Sequence, residues 1–157
     1  MSKPHTLLPP GNGLSEAFLM QHKEEFYLLL RLSFALLTGM HGAQKAFLMW
    51  DFPADQELSP LVDVAGWVEA ISALMIAAGL LVRLAAGAMV ILLPVAYFVV
   101  HFERGLWAHH YHPEEGFTTL HHGGEVVMLH FLIACVILVL GGRKWSLERL
   151  IFKKELL

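Results

Sequence analysis

His41, Lys45, Glu69, His101, Glu125 and His130 each interrupt an otherwise apolar stretch of the 157-residue chain. Imidazoles and carboxylates within hydrogen-bond reach of a substrate can accept, hold and pass protons near neutral pH. Imidazole is also a ligand for zinc, copper, nickel and haem iron. His41 and Lys45 are four residues apart, as are Tyr97 and His101, and His121 and Glu125, so each pair shares a face if its segment is helical. Gln44 adds an amide next to Lys45. Three chemistries are open to this set. Glu69, Glu125, His41 and Lys45 could run proton transfer; His101, His121 and His122, with Glu125, could hold a divalent metal; His41 and His130 could ligate a haem from two sides. Cys135 is the single cysteine, so an intrachain disulfide and a cysteine-rich metal centre are both excluded. It reads as a small core residue.

The elements that must position these groups are set by lipid. The sequence is 56% hydrophobic and 16% charged, with a mean hydropathy of +0.56, where a soluble domain carries about 25% charged residues. A crossing needs about 20 apolar residues. Four segments qualify in outline, at residues 26–50, 62–82, 84–102 and 124–140. The expectation is an all-α, up-down-up-down membrane bundle over 26–142, with a polar arm at 1–25 and a basic tail at 143–157. The arm has no apolar core followed by small residues, so it does not read as a cleaved signal peptide; Ser15 to Met20 within it suits a short surface helix. The second and third segments are separated only by Arg83, which forces an antiparallel hairpin. Pro94 should kink the third helix. Gly141-Gly142 should end the fourth.

Lys and Arg collect in the arm (Lys3, Lys23), at the hairpin (Arg83) and in the tail (Arg143, Lys144, Arg149, Lys153, Lys154), whereas only Arg104 lies in a loop on the other side. By the positive-inside rule both termini are cytoplasmic. Outside lies a loop of roughly twenty residues, 103–123, carrying His109, His110, His112, His121 and His122; loops that long usually have a role. The net charge of −3 and the absence of a dense basic tract leave no case for nucleic acid. Trp50, Trp67, Trp107 and Trp145 read as interfacial anchors. Gly39 and Gly42 read as a close-packing face.

At a rise of about 1.5 Å per residue, His41, Lys45, Glu69, His101, His121, Glu125 and His130 all fall in the outer half of the bundle. Ionisable groups in a membrane face the interior, find partners and mark functional sites. Lys45 with Glu69 and Glu125 would compensate charge. The plainer reading is a polar lock that fixes helix packing. The inner half offers little besides Arg31, which is expected to snorkel or to pair with Glu148, and so gives no continuous path for transport.

The order and spacing of Leu30-Arg31-Leu32, His41-Gly42-Ala43-Gln44-Lys45, Glu69 ahead of a small-residue run to Gly79-Leu80, Gly123-Gly124-Glu125 and Gly142-Arg143-Lys144-Trp145-Ser146-Leu147-Glu148 resemble the DoxX family of small four-helix membrane proteins. The family usually has Asp where Glu148 stands, and residues 107–122 have no counterpart in its pattern. The resemblance implies quinone-linked redox chemistry in a bacterial or archaeal cytoplasmic membrane. It also implies partnership with other subunits of a membrane redox complex, or with further copies of the chain. The polar positions that match the family are Arg31, His41, Gln44, Lys45, Glu69 and Glu125. The leading expectation is a subunit whose outer pocket holds a quinone, with His41 or Lys45 donating to a carbonyl and Glu69 or Glu125 relaying the proton. A haem or divalent-metal subunit, and a non-catalytic assembly subunit, are the alternatives.

Overall fold

A computed structural model describes residues 13–50, 60–102, 106 and 124–156. The described chain is helical: α1 (Gly13–Gln21), α2 (Lys23–Ala46), α3 (Pro60–Ala78), α4 (Val82–Ala96) continuing into a π-helical turn (Tyr97–His101), α5 (Glu125–Leu140) and α6 (Leu147–Phe152). Three helices are long and apolar enough to cross a membrane: Lys23–Ala46, Pro60–Ala78 and Val82–His101; Glu125–Leu140 is apolar but shorter. Leu36 on α2, Leu74 on α3, Ile91 on α4 and Val139 on α5 are 65%, 72%, 72% and 73% exposed. Bare aliphatics on all four helices are what a lipid-facing surface requires.

The four long helices close a ring, with α2 on α3, α3 on α4, α4 on α5 and α5 back on α2. Neighbours run antiparallel: Lys45 of α2 meets Glu69 of α3, Gly39 lies against Ala73, and Tyr27 at the start of α2 reaches Gly141 at the end of α5. Phe34, Ile76, Met89 and Ile137 are nearly fully buried and form the centre of the core.

The hairpin between α3 and α4 turns at residues 79–81, earlier than Arg83, which instead lies in the first turn of α4. Gly79 decides this. At φ +72° it adopts the left-handed conformation in which glycine ends helices. The amide of Leu80 then closes back on Met75 O at 2.9 Å and that of Gly79 on Ile76 O at 3.3 Å, the Schellman pattern of a helix C-terminus. Pro94 does not end its helix; the π-helical turn follows three residues later. Gly141 closes α5 at φ +71°, as its glycine pair predicts. The tail contains the short helix α6, begun by Ser146, whose Oγ accepts from the Arg149 amide at 3.4 Å.

Backbone contact between α2 and α3 depends on glycine at two facing positions. A Cβ on Gly42 would run into the Ala70 backbone, and one on Gly66 would lie 2.6 Å from Lys45 Cβ. Overpacking costs about 1–3 kcal/mol. Gly42→Leu should therefore lower thermal stability in detergent, while Gly87→Ala on α4, whose Cβ would meet only Leu138 at 3.8 Å, should leave it within experimental error.

Candidate functional site

Two polar clusters occupy opposite ends of the bundle, separated by about 21 Å along α2 at the helical rise. The first is built where α2 ends. Lys45, in the last turn of α2, donates to both carboxylate oxygens of Glu69 at 2.7 and 2.8 Å. Glu69 is buried in the middle of α3, at 5% side-chain exposure, and Lys45 is partly open at 23%. The fork matters: with both oxygens engaged, a carboxylate in an apolar interior has a cation to offset part of its burial cost.

His130 of α5, 8% exposed, packs against His41, which lies one turn before Lys45 on α2. The Nδ1 of His130 lies 2.7 Å from Val126 O, one turn back. A carbonyl only accepts, so Nδ1 carries the proton, and in the neutral ring Nε2 is an acceptor. Nε2 is buried and, among the described residues, has no hydrogen-bond partner. Phe34 and His41 pack on the same imidazole, with ring centroids 5.7 and 6.1 Å away. Thr38, on α2 one turn before His41, is 3% exposed and its Oγ1 is likewise buried without a partner. Orphaned polar atoms are uncommon in interiors and call for an explanation such as a ligand or an ordered water.

The other expected groups divide. Gln44 is half-buried in the last turn of α2, and His41 is exposed on α2 and makes an edge-to-face contact with His130. Glu125 is half-buried in the first turn of α5, next to Gly124, which Tyr97 presses so closely that a Cβ there would clash with the ring. His101 ends the π-helical turn and is half-buried. Lys45 therefore meets Glu69 and not Glu125. His121 and His122 lie outside the described residues, as do His109, His110, His112 and Trp107. Among the described residues no group of three or more histidine, cysteine, aspartate or glutamate side chains could hold a metal ion. Thr38 escaped the sequence reading. One hydroxyl in an apolar run is ordinary, and only its helical spacing to His41 and Lys45 marks it.

The second cluster lies at the opposite end of the bundle, where the sequence reading saw little besides Arg31. Arg31, 2% exposed, does not pair with Glu148. It donates to Gly142 O at 2.5 Å and to Trp145 O, beyond the end of α5. Tyr27 OH donates to Gly141 O at 2.6 Å. Glu148, also 2% exposed, accepts from the Leu81 amide in the hairpin and from the Leu156 amide at 3.2 Å, while its own amide donates to Gly79 O at 3.2 Å. Leu81 is left-handed at φ 48°, which costs a non-glycine residue about 1–2 kcal/mol, and the carboxylate on its amide holds that turn. Arg143 reaches back to Glu24 at the start of α2, with Nε 3.1 Å from Oε2, and that carboxylate raises the guanidinium pKa further. Arg83 and Arg149 both bind Glu155, at 3.2 and 3.5 Å. These contacts tie the tail to α2 and to the α3–α4 hairpin. Arg31, Gly79, Gly142, Arg143, Trp145 and Glu148 belong to the motifs Leu30-Arg31-Leu32, Gly79-Leu80 and Gly142 to Glu148, whose spacing thus serves a clasp.

We found no significant similarity to a curated protein or to a solved structure. A family model does match: residues 26–102 correspond to DoxX, a stretch that contains Arg31, Thr38, the Lys45–Glu69 pair and the hairpin that Glu148 grips. With apolar helices of spanning length, the chain is a membrane protein, and its residues 26–102 match the DoxX family.

Proposed function

We propose that this chain is a four-crossing subunit of a quinone-linked redox complex in a bacterial or archaeal cytoplasmic membrane, and that the headgroup of a quinol or quinone binds beside His130. The observation that carries the reading is the buried, unpartnered Nε2 of His130 next to the Lys45–Glu69 pair. The fourth crossing falls to α5. Its 16 residues span about 24 Å at the helical rise, which a locally thinned bilayer accommodates. The basic residues at the clasp end favour the cytoplasm for that end and the opposite face for the His130 cluster.

Bound quinone would supply two-electron, two-proton chemistry, and its isoprenoid tail suits the apolar helix faces. The remaining work belongs to the chain. His130 offers Nε2 as acceptor to a phenolic hydroxyl, and its fixed Nδ1–H lets the ring take up that proton as imidazolium. Thr38 Oγ1 can donate to, or accept from, an oxygen at the same site. Glu69 balances the charge that His130 acquires, with Lys45 holding the carboxylate in place. His41, Gln44, Glu125 and His101, each close to an end of its helix, would line a proton route from this centre to the near membrane face. Because Lys45 is spent on Glu69 in a two-bond fork, His130 and Thr38 displace it as the groups that address the ligand.

The test uses full-length protein in lipid nanodiscs and decylubiquinol as probe. A buried hydrogen bond is worth about 1–3 kcal/mol when its partner is removed, so His130→Leu should weaken binding by roughly tenfold to a hundredfold and Thr38→Val by less, each without loss of fold. Unchanged affinity in both variants would reject the site.

A second reading rests on His41 and His130 as an axial pair for haem. They come from different helices and meet with centroids 6.1 Å apart. The rings stand in edge-to-face contact with each other, and His130 also touches Phe34, so they are not held apart on either side of a slot. A Soret band in the purified protein, abolished by His130→Leu, would nonetheless establish this reading in place of the first.

A further inference from the structure

The clasp fixes a surface that nothing in the bundle covers. Glu148 points inward from α6 and is bound to the hairpin, so the orientation of α6 is set. Leu147, Leu150 and Ile151, spaced as one helical face, are then left 40%, 76% and 61% exposed. Lys144, Lys153 and Lys154 flank that face and are exposed. Arg149, by contrast, is already matched by Glu155. The chain reverses at Gly141 and Arg143, both at positive φ, so α6 does not continue the axis of α5. A short helix with an apolar stripe edged by lysines, held at the end of a membrane bundle, has the form of an element lying in the headgroup layer. Lysines there are drawn to anionic lipid and not to zwitterionic lipid.

We infer that α6 and its flanking lysines form an anionic-lipid docking surface, which lays Leu147, Leu150 and Ile151 into the leaflet at the clasp end. The partner is phospholipid of negative headgroup, chosen over a protein by the exposed Lys144, Lys153 and Lys154 around the stripe and by its place at the end of α5 that carries the bare aliphatic Val139. The surface is independent of whatever the His130 cluster binds.

The experiment places a nitroxide label at Ile151→Cys, in a Cys135→Ala background, on full-length protein in nanodiscs of phosphatidylcholine with or without phosphatidylglycerol. Collision with oxygen, which concentrates in lipid, is compared with collision with an aqueous nickel chelate. The expected result is a label several-fold more accessible to oxygen when phosphatidylglycerol is present, with the difference lost in Lys144→Gln/Lys153→Gln/Lys154→Gln. Nickel accessibility that is high in both lipids would overturn the inference. So would a label shielded from both reagents, which would mean a protein partner, and so would an oxygen-accessible label indifferent to the three lysines. Elution of each variant as the native-sized species on gel filtration confirms that the clasp is intact.

Discussion

Replacing Arg31 by methionine is expected to destabilise the protein by about 2–5 kcal/mol and to release the tail. The guanidinium is the sole described link that reaches from the first half of α2 to both Gly142 O and Trp145 O. Methionine fills similar apolar volume but leaves one buried and one part-buried carbonyl without a donor, up to about 1–3 kcal/mol each. The loss propagates, because Gly142 and Trp145 flank the segment that presents Ser146 and Glu148 to the hairpin. Thermal unfolding in detergent, followed by a maleimide dye on Cys135, would report the change, and limited proteolysis after residue 142 would report the loosened tail. Arg31→Lys should recover only part of the loss, since an ammonium lacks the planar fork that serves two acceptors at once. A variant as stable and as protease-resistant as the parent would show that Tyr27, Glu148 and Arg143 hold the clasp without Arg31.

The second large effect concerns Lys45 and Glu69, and it separates a site from a packing lock. Lys45→Met leaves a carboxylate buried without its cation, a change that costs roughly 3–5 kcal/mol in comparable buried pairs. Glu69→Leu alone strands an ammonium that is less buried and should cost less. The double variant Lys45→Met/Glu69→Leu removes both charges and should return most of the stability, because well-packed apolar residues often replace a buried ion pair at no net cost. Function decides the rest. If the pair only fixes helix register, the double variant regains decylubiquinol binding and the turnover of its native complex along with its stability. If Glu69 balances charge on His130, stability returns while binding and turnover stay depressed by tenfold or more. The first outcome would favour the assembly-subunit reading.

Much of the architecture was legible because lipid enforces it. Apolar runs of spanning length leave few alternatives to helices, so the long helices fall within a few residues of their expected bounds. Gly141 marked the end of α5 correctly. The ends of the first and second segments were misplaced for a local reason: Phe47 to Trp50 and Gly79 to Val82 are as apolar as the helices they follow, so composition runs on where hydrogen bonding stops. Gly79 carried the missing signal, a positive-φ helix terminator that looks in sequence like another small residue in a small-residue run. Arg31 is the instructive case at the site level. Charge alone suggested a carboxylate partner, yet a guanidinium can be satisfied by carbonyls at a helix end, and no sequence rule predicts which carbonyls those are.

By itself the sequence determined the apolar solvent and the helical class, because these follow from hydropathy and period along a single chain, and its motifs carried the resemblance to DoxX. Only the tertiary structure decided partners. It gave both oxygens of Glu69 to Lys45, turned His130 toward Val126 so that Nε2 is left as acceptor, and buried Thr38 Oγ1 without a bond. It also spent Arg31, Tyr27 and Glu148 on backbone groups more than sixty residues away in sequence. Depth along a helix can be counted from residue numbers. Which face meets which neighbour depends on how glycine contacts such as Gly42 against Ala70 set the rotation and approach of whole helices, and that is a property of the packed bundle.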